Sequence, residues 1–183
     1  MCCRYVIFND NEEIRALVAA LNRGEPEVRL SGEMHPGDAV PVIANSRRRI
    51  PTPFAMRWGY HMPNGRLLIN ARTETADTKP LFRESMALRR CVMPASAYYE
   101  WNDRRVKHLV RPAAEKTIYL AGIYRMENGK PVFTVLTREP VQGLEKLHPR
   151  MPVVLGGSSV PAWLDLSRSG REALSDPVPA MTA

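Results

Sequence analysis

The sequence is poor in cysteine, in lysine, in glycine-rich loops and in long apolar runs. Its 3 cysteines, an odd number in 183 residues, exclude a disulfide framework and fit reduced thiols in a cytoplasm. No apolar run nears the roughly 18 residues that a membrane helix needs. The opening MCCRYVIFND lacks the basic-then-apolar order of a secretory leader, so a cytoplasmic protein with no membrane partner is expected. No C-x2-C or H-x3-H spacing exists, and structural zinc is not expected. A phosphate-cradling glycine loop and a G-x-S-x-G element are also missing, and no cofactor is expected.

What remains is an ordinary globular composition, 44% hydrophobic and 25% charged, at a length that suits one domain. We expect residues 2–174 to form that domain and 175–183 to fray as a tail. The 16 prolines argue for many turns and short elements. The formal charge is +7, and 21 of the 26 cationic residues are arginine. That ratio has two readings. One is the codon bias of a GC-rich genome; the other is a polyanionic partner, since guanidinium is the better bidentate phosphate ligand.

One segment reads clearly as helix. Asn9 or Asp10 would cap it, Ile14, Leu17, Val18 and Leu21 give helical spacing, and Gly24 and Pro26 would end it. Strands are predicted over 40–44, 53–60, 66–70, 90–93, 97–101, 117–125, 132–137 and 151–155. A strand at Tyr5–Phe8 would pin the N-terminus to a sheet. Shorter helices are predicted over 80–88, with Thr78 as cap, and over 140–147 and 161–174. Strands do not alternate with long helices, which disfavours a doubly wound sheet. The expected class is therefore α+β: one compact domain with a curled, barrel-like, mostly antiparallel sheet flanked by helices.

Four places could carry chemistry. Cys2, once Met1 is trimmed, would present a thiol and a free α-amine. With a pKa of about 7.7–8.0, roughly a tenth of that amine is neutral at pH 7, which makes it a ready nucleophile toward aldehydes. The thiol could then close a five-membered ring on the same carbon. An incidental terminal cysteine is the plainer reading. Asn70 and Arg72, in Asn70-Ala71-Arg72-Thr73-Glu74-Thr75, follow an apolar strand and offer an amide and a phosphate fork, or simply a polar turn. Glu100 sits in the aromatic run Tyr98-Tyr99-Glu100-Trp101, where a raised pKa would suit an acid or base, unless it merely faces out. Trp101 could stack on a base, and Cys91 reads as a buried thiol. His148, in His148-Pro149-Arg150-Met151-Pro152, could be an acid, a base or a structural donor, with Arg150 a phosphate ligand beside it.

Taken in order, these blocks are specific. Cys2-Cys3-Arg4-Tyr5, Arg57-Trp58-Gly59, NARTET, RRCVMPASAYYEW, AGIYR, FTVLT and HPRMPVVL together resemble the SOS response-associated peptidase family of abasic-site-processing proteins. The resemblance runs from residue 2 to about Leu164. It implies a barrel-like α+β domain, expected to be monomeric, that captures abasic sites in single-stranded DNA as a thiazolidine crosslink. On that likeness Cys2 is the nucleophile and Asn70 orients the terminus or the sugar. Glu100 shuttles protons, and His148 assists at the sugar hydroxyls or the imine. Arg4, Arg72 and Arg150 match phosphate-holding positions, and Trp58 an aromatic at the DNA cleft. Two features depart from the family: Cys3 replaces the usual glycine, and 102–108 is arginine-rich. An N-terminal-nucleophile thiol peptidase or amidohydrolase, and a non-catalytic binder of single-stranded or modified DNA, are the rival readings.

Overall fold

Residues on the central strands divide by parity into two apolar sets, as a pleated strand requires. Cys91, Met93 and Ala95 join one buried cluster while Val92 joins another. Phe133 and Val135 likewise part from Val132 and Leu136. Both faces of these strands are therefore covered. In a computed structural model, which describes residues 2–19, 21, 28–175 and 177–183, this pattern resolves into a small barrel with a second sheet against it.

The N-terminal half comprises β1 (Tyr5–Ile7), α1 (Glu12–Val18), β2 (Gly32–Met34), β3 (Ala39–Asn45), β4 (Pro51–Trp58), β5 (Tyr60–His61), β6 (Leu67–Leu68), β7 (Asn70–Arg72), α2 (Thr73–Ala76) and α3 (Arg83–Leu88). There follow β8 (Arg90–Ala95), β9 (Ala97–Trp101), β10 (Lys107–Pro112), β11 (Ile118–Glu127), β12 (Lys130–Arg138), β13 (Met151–Pro152), β14 (Val154–Leu155), α4 (Val160–Leu164) and β15 (Met181–Thr182). The sequence β12-β4-β3-β8-β11 closes on itself through a β11–β12 pairing. Most pairings are antiparallel; β12 runs parallel to β4 and β7. Val40, Val42, Met56, Trp58, Met93, Leu120 and Phe133 fill the interior. The barrel is narrow: a Cβ on Gly122 would stand 2.9 Å from the Thr134 carbonyl oxygen, so only glycine lets β11 and β12 approach so closely. The second sheet runs β15-β10-β9-β1-β2. This is the α+β, barrel-like class expected from the sequence.

Several local expectations are corrected. Asn11, not Asn9 or Asp10, caps α1: its Oδ1 accepts from the Ile14 N–H at 3.1 Å. Its amide, nearly buried, also donates to the Lys116 carbonyl and the Thr117 hydroxyl, both at 3.0 Å, so the cap doubles as a tie to the start of β11. The expected stop at Gly24 and Pro26 lies outside the described residues. The predicted strand 66–70 is two strands with different partners, β6 on β5 and β7 on β12. Thr78 caps no helix; its hydroxyl donates to the Thr75 carbonyl, and α3 starts only after Phe82. Residues 140–147 form turns, broken at Gly143 with φ +94°. The helix predicted over 161–174 stops at Leu164, because Asp165 takes an extended conformation and hands its carboxylate to Ser167. The end of the expected tail is tied down: Met181–Thr182 pairs with Arg111 and Pro112 of β10.

Candidate active site

The N-terminus is built into the second sheet. β1 pairs with β9 in the register Tyr5↔Tyr98, and beyond the strand the Tyr99 N–H still donates to the Arg4 carbonyl at 2.9 Å. One more step along that register sets Cys3 opposite Glu100. Cys2 is fully buried among the apolar side chains of the interior cluster. Its carbonyl accepts from Asn70 Nδ2 at 2.9 Å. Asn70 itself is placed by β7, which lies parallel to β12 with Asn70 beside Val135. Its Oδ1 is buried and, among the described residues, has no hydrogen-bond partner. Burial pushes the Cys2 thiol far up, and the nearby Glu100 charge adds to the effect. The thiol is accordingly protonated at neutral pH. Cys3 is half-buried and shifts in the same direction, again first by burial.

Glu100 is 2% exposed. Strand alternation turns it and Tyr98 inward while Tyr99 and Trp101 keep partial exposure. Burial raises the Glu100 pKa, and the positive potential of His148 opposes that rise. Such a carboxyl is a stronger base than one in water. His148 Nδ1 lies 3.7 Å from Glu100 Oε1. The same nitrogen is 2.8 Å from the Arg150 carbonyl oxygen and 3.0 Å from the Arg150 N–H, so the His148-Pro149-Arg150 turn clamps its own imidazole. Three residues distant in sequence, Asn70, Glu100 and His148, are thereby brought to the N-terminal segment.

The four residues expected at DNA fare differently. Arg72 is exposed and, among the described residues, has no salt bridge. Arg4 donates to Glu33 Oε2 at 3.1 Å and lies over the Trp101 ring at 5.5 Å. Lys107 shares Glu33, at 2.7 Å, and its hydrogen bond, aided by Arg4, holds that carboxyl below the usual range. Arg150 is not an open fork: Nη1 and Nη2 meet Glu74 Oε1 and Oε2 at 2.6 and 2.9 Å, and Nη2 also reaches the Thr137 carbonyl at 2.6 Å. Trp58 is corrected outright. It is fully buried, stacks on Phe133 with centroids 6.0 Å apart, and donates Nε1–H to the Ile69 carbonyl at 3.0 Å, so it is a core residue and not a cleft aromatic. The partly exposed aromatics beside Glu100 are Tyr99 and Trp101. Sequence reasoning missed the Glu33–Lys107 bracket on Arg4, because neither β2 nor β10 carries a strong strand pattern. Among the described residues no group of three or more His, Cys, Asp or Glu is arranged to hold a metal.

The family model for SOS response associated peptidases (SRAP) matches residues 1–182. The chain belongs to the SRAP family. It is 30% identical over 190 residues to the abasic site processing protein YoqW of Bacillus subtilis, covering 90% of this chain and 80% of that protein. It is 28% identical over 189 residues to the abasic site processing protein YedK of Escherichia coli, covering 94% and 83%. A solved structure from Bordetella bronchiseptica matches with a TM-score of 0.77 at 25% identity, over 99% of this chain and 97% of that one. A second, from Bacteroides thetaiotaomicron, has a TM-score of 0.76 at 20% identity over 95% and 85%, a likeness of fold. The family match runs past Leu174 over the segment where β15 pairs with β10.

Proposed function

We propose that this SRAP chain processes abasic sites in single-stranded DNA by covalent capture through Cys2 after removal of Met1. The observation that carries the reading is the convergence of a buried terminal cysteine, a carboxyl–imidazole pair and an orienting amide. Met1 lies outside the described residues, and its removal is part of the proposal, since an acylated nitrogen cannot form an imine.

The freed α-amine adds to C1′ of the ring-opened sugar, whose aldehyde is the electrophile. Loss of one water from the carbinolamine gives the imine. The Cys2 sulfur then bonds to the same carbon, and its proton passes through Glu100 to the nitrogen, closing a thiazolidine. One water leaves in all, and nothing is oxidised or reduced. Glu100 first donates a proton to the departing hydroxyl and later accepts one from the thiol, a dual role that its raised pKa suits. His148 balances the Glu100 charge and reaches the sugar hydroxyls from its more exposed side. Asn70 fixes the Cys2 carbonyl and keeps Oδ1 for the amine or a sugar hydroxyl. Arg72 takes a backbone phosphate directly. Arg4 takes one beside the Trp101 platform, and Arg150 reaches one only by releasing Glu74.

The test is a denaturing gel with an oligonucleotide carrying one abasic site. The expected result is a stable, one-to-one adduct formed by protein whose intact mass lacks Met1. A thiol peptidase or a purely non-covalent binder gives no such band, and active protein that retains Met1 would overturn the mechanism.

A further inference from the structure

Arg90 opens β8 on the outer side of the barrel, where its guanidinium stacks 5.2 Å from the Trp163 ring of α4. It is 2% exposed. Nη2 donates to the carbonyls of Asp165 and Arg168 at 2.7 and 2.8 Å. Nε and Nη1 are buried and have no hydrogen-bond partner among the described residues. Among the described residues Arg90 forms no salt bridge. The Asp165 carboxylate turns away, accepting the Ser167 N–H at 3.0 Å and its hydroxyl at 2.7 Å. A buried cation with two idle donors is costly unless something supplies charge and acceptors. Burial accordingly pulls the Arg90 pKa down, and Asp165 offsets this only in part.

Arg90 also lines a cavity of about 240 Å³, with Ser46, Arg47, Arg49 and Tyr124 among its walls and no Asp or Glu. Arg47 and Arg49 are exposed, on the turn that joins β3 to β4. That turn is set by the Arg49 N–H donating to the Ser46 carbonyl at 2.8 Å, with Arg49 at φ 59°, a left-handed conformation unusual for a bulky residue. Three arginines thus line one concavity without an acid among them. Cys2, Asn70, Glu100 and His148 do not line it.

We propose that this cavity binds a phosphate group, with Arg90 at its floor and Arg47 and Arg49 at its rim. A tetrahedral oxyanion supplies both the missing charge and the missing acceptors, and guanidinium matches it in geometry. It approaches past the exposed rim arginines to the buried one. The ligand is either free phosphate or a backbone phosphate of a DNA strand, and the inference does not depend on the Cys2 chemistry.

The experiment titrates inorganic phosphate against wild type, Arg90→Met and the double variant R47A/R49A, read by thermal unfolding and phosphorus NMR at ionic strength matched with sodium chloride. In parallel, binding of an unmodified single-stranded oligonucleotide is measured against salt. Phosphate is expected to stabilise the wild type, and R47A/R49A to weaken its affinity by about tenfold or more. A free-phosphate site leaves the oligonucleotide salt slope unchanged in R47A/R49A. A DNA-phosphate site flattens it by about 0.7 per lost contact. R47A/R49A keeps the test valid if Arg90→Met fails to fold. Equal phosphate titrations in wild type and R47A/R49A with the same oligonucleotide slope, or no phosphate response together with that same slope, would overturn the proposal.

Discussion

Replacing Arg150 with methionine separates two roles that its sequence position leaves mixed. Methionine keeps most of the stem and removes only the guanidinium. Two losses follow. The Thr137 carbonyl, on a buried residue, loses a charged donor at 2.6 Å, which costs about 1–3 kcal/mol. The fork to Glu74 spans a side chain 46% exposed, so solvent screening holds it to about 0.2–1 kcal/mol. The sum, roughly 1.2–4 kcal/mol, lowers Tm by about 2–16 °C in a protein of this size. The pH dependence has a definite sign. Arg150 hydrogen bonding, the leading cause, lowers the Glu74 pKa, so that part of the stability is present above the ordinary carboxylate range and is lost as pH falls through the folded value. The gap between wild type and Arg150→Met should therefore narrow in acid, but only by the smaller, Glu74 share. Differential scanning calorimetry at neutral and acid pH measures both. The contacts that hold the His148 ring are made by the main chain of residue 150 and survive the substitution, so crosslinking at saturating DNA should keep close to the wild-type rate. A Tm within about 1 °C of wild type, with a flattened salt slope for single-stranded DNA, would refute the reasoning and return Arg150 to a pure phosphate contact.

Glu100→Gln should slow single-turnover crosslinking by about 10²–10⁴-fold at saturating DNA. Because burial raises the Glu100 pKa, its charged form costs stability as pH climbs from the unfolded to the folded value. The amide variant should therefore melt no lower than wild type at neutral pH; lost affinity with an intact rate would reject this assignment. Arg72→Ala should leave Tm within about 1 °C and flatten the log-affinity against log-salt slope by about 0.7, and an unchanged slope would remove Arg72 from the DNA track.

The barrel was legible because its strands carry period-2 apolar patterns on both faces: 90–93, 117–125 and 132–137 all lie within β8, β11 and β12 or differ from them by a residue. What stayed hidden lacks such a pattern. Gly32–Met34 and Met181–Thr182 are strands only because β1 and β10 offer free edges, which is a tertiary fact. The helix expected over 140–147 is absent where Gly143 turns the chain, and the one expected over 161–174 ends early where the Asp165–Ser167 turn outweighs propensity. At the site, residue types were readable and partners were not. A tryptophan beside Gly59 looks equally apt for a cleft or a core, and only the stack on Phe133 decides. Arg150 looks like a phosphate fork until Glu74, distant in sequence, is found across from it.

The burial of Cys2 orders the chemistry. A thiol held protonated by its surroundings cannot be the first nucleophile, whereas the α-amine, released from Met1, is partly neutral at pH 7 without help. In the proposed mechanism the amine therefore attacks first, and sulfur adds only when the imine carbon is in place and Glu100 can take its proton. Cys3 cannot substitute. Its nitrogen is a peptide amide, and its sulfur would close an eight-membered ring across a planar bond, with a larger loss of entropy than the five-membered closure. Cys3→Gly should accordingly crosslink near the wild-type rate. Cys2→Ala keeps an amine but has no sulfur to close the ring, so it should give no adduct that survives denaturant. Cys2→Ser has the amine and a still weaker acid than the thiol, and should give an adduct only when borohydride reduces the imine. Gel analysis with and without reductant reads all three variants on one abasic oligonucleotide. A stable, reductant-independent adduct from Cys2→Ser, or its loss in Cys3→Gly, would show that sulfur is not the closing nucleophile or that the wrong sulfur has been assigned.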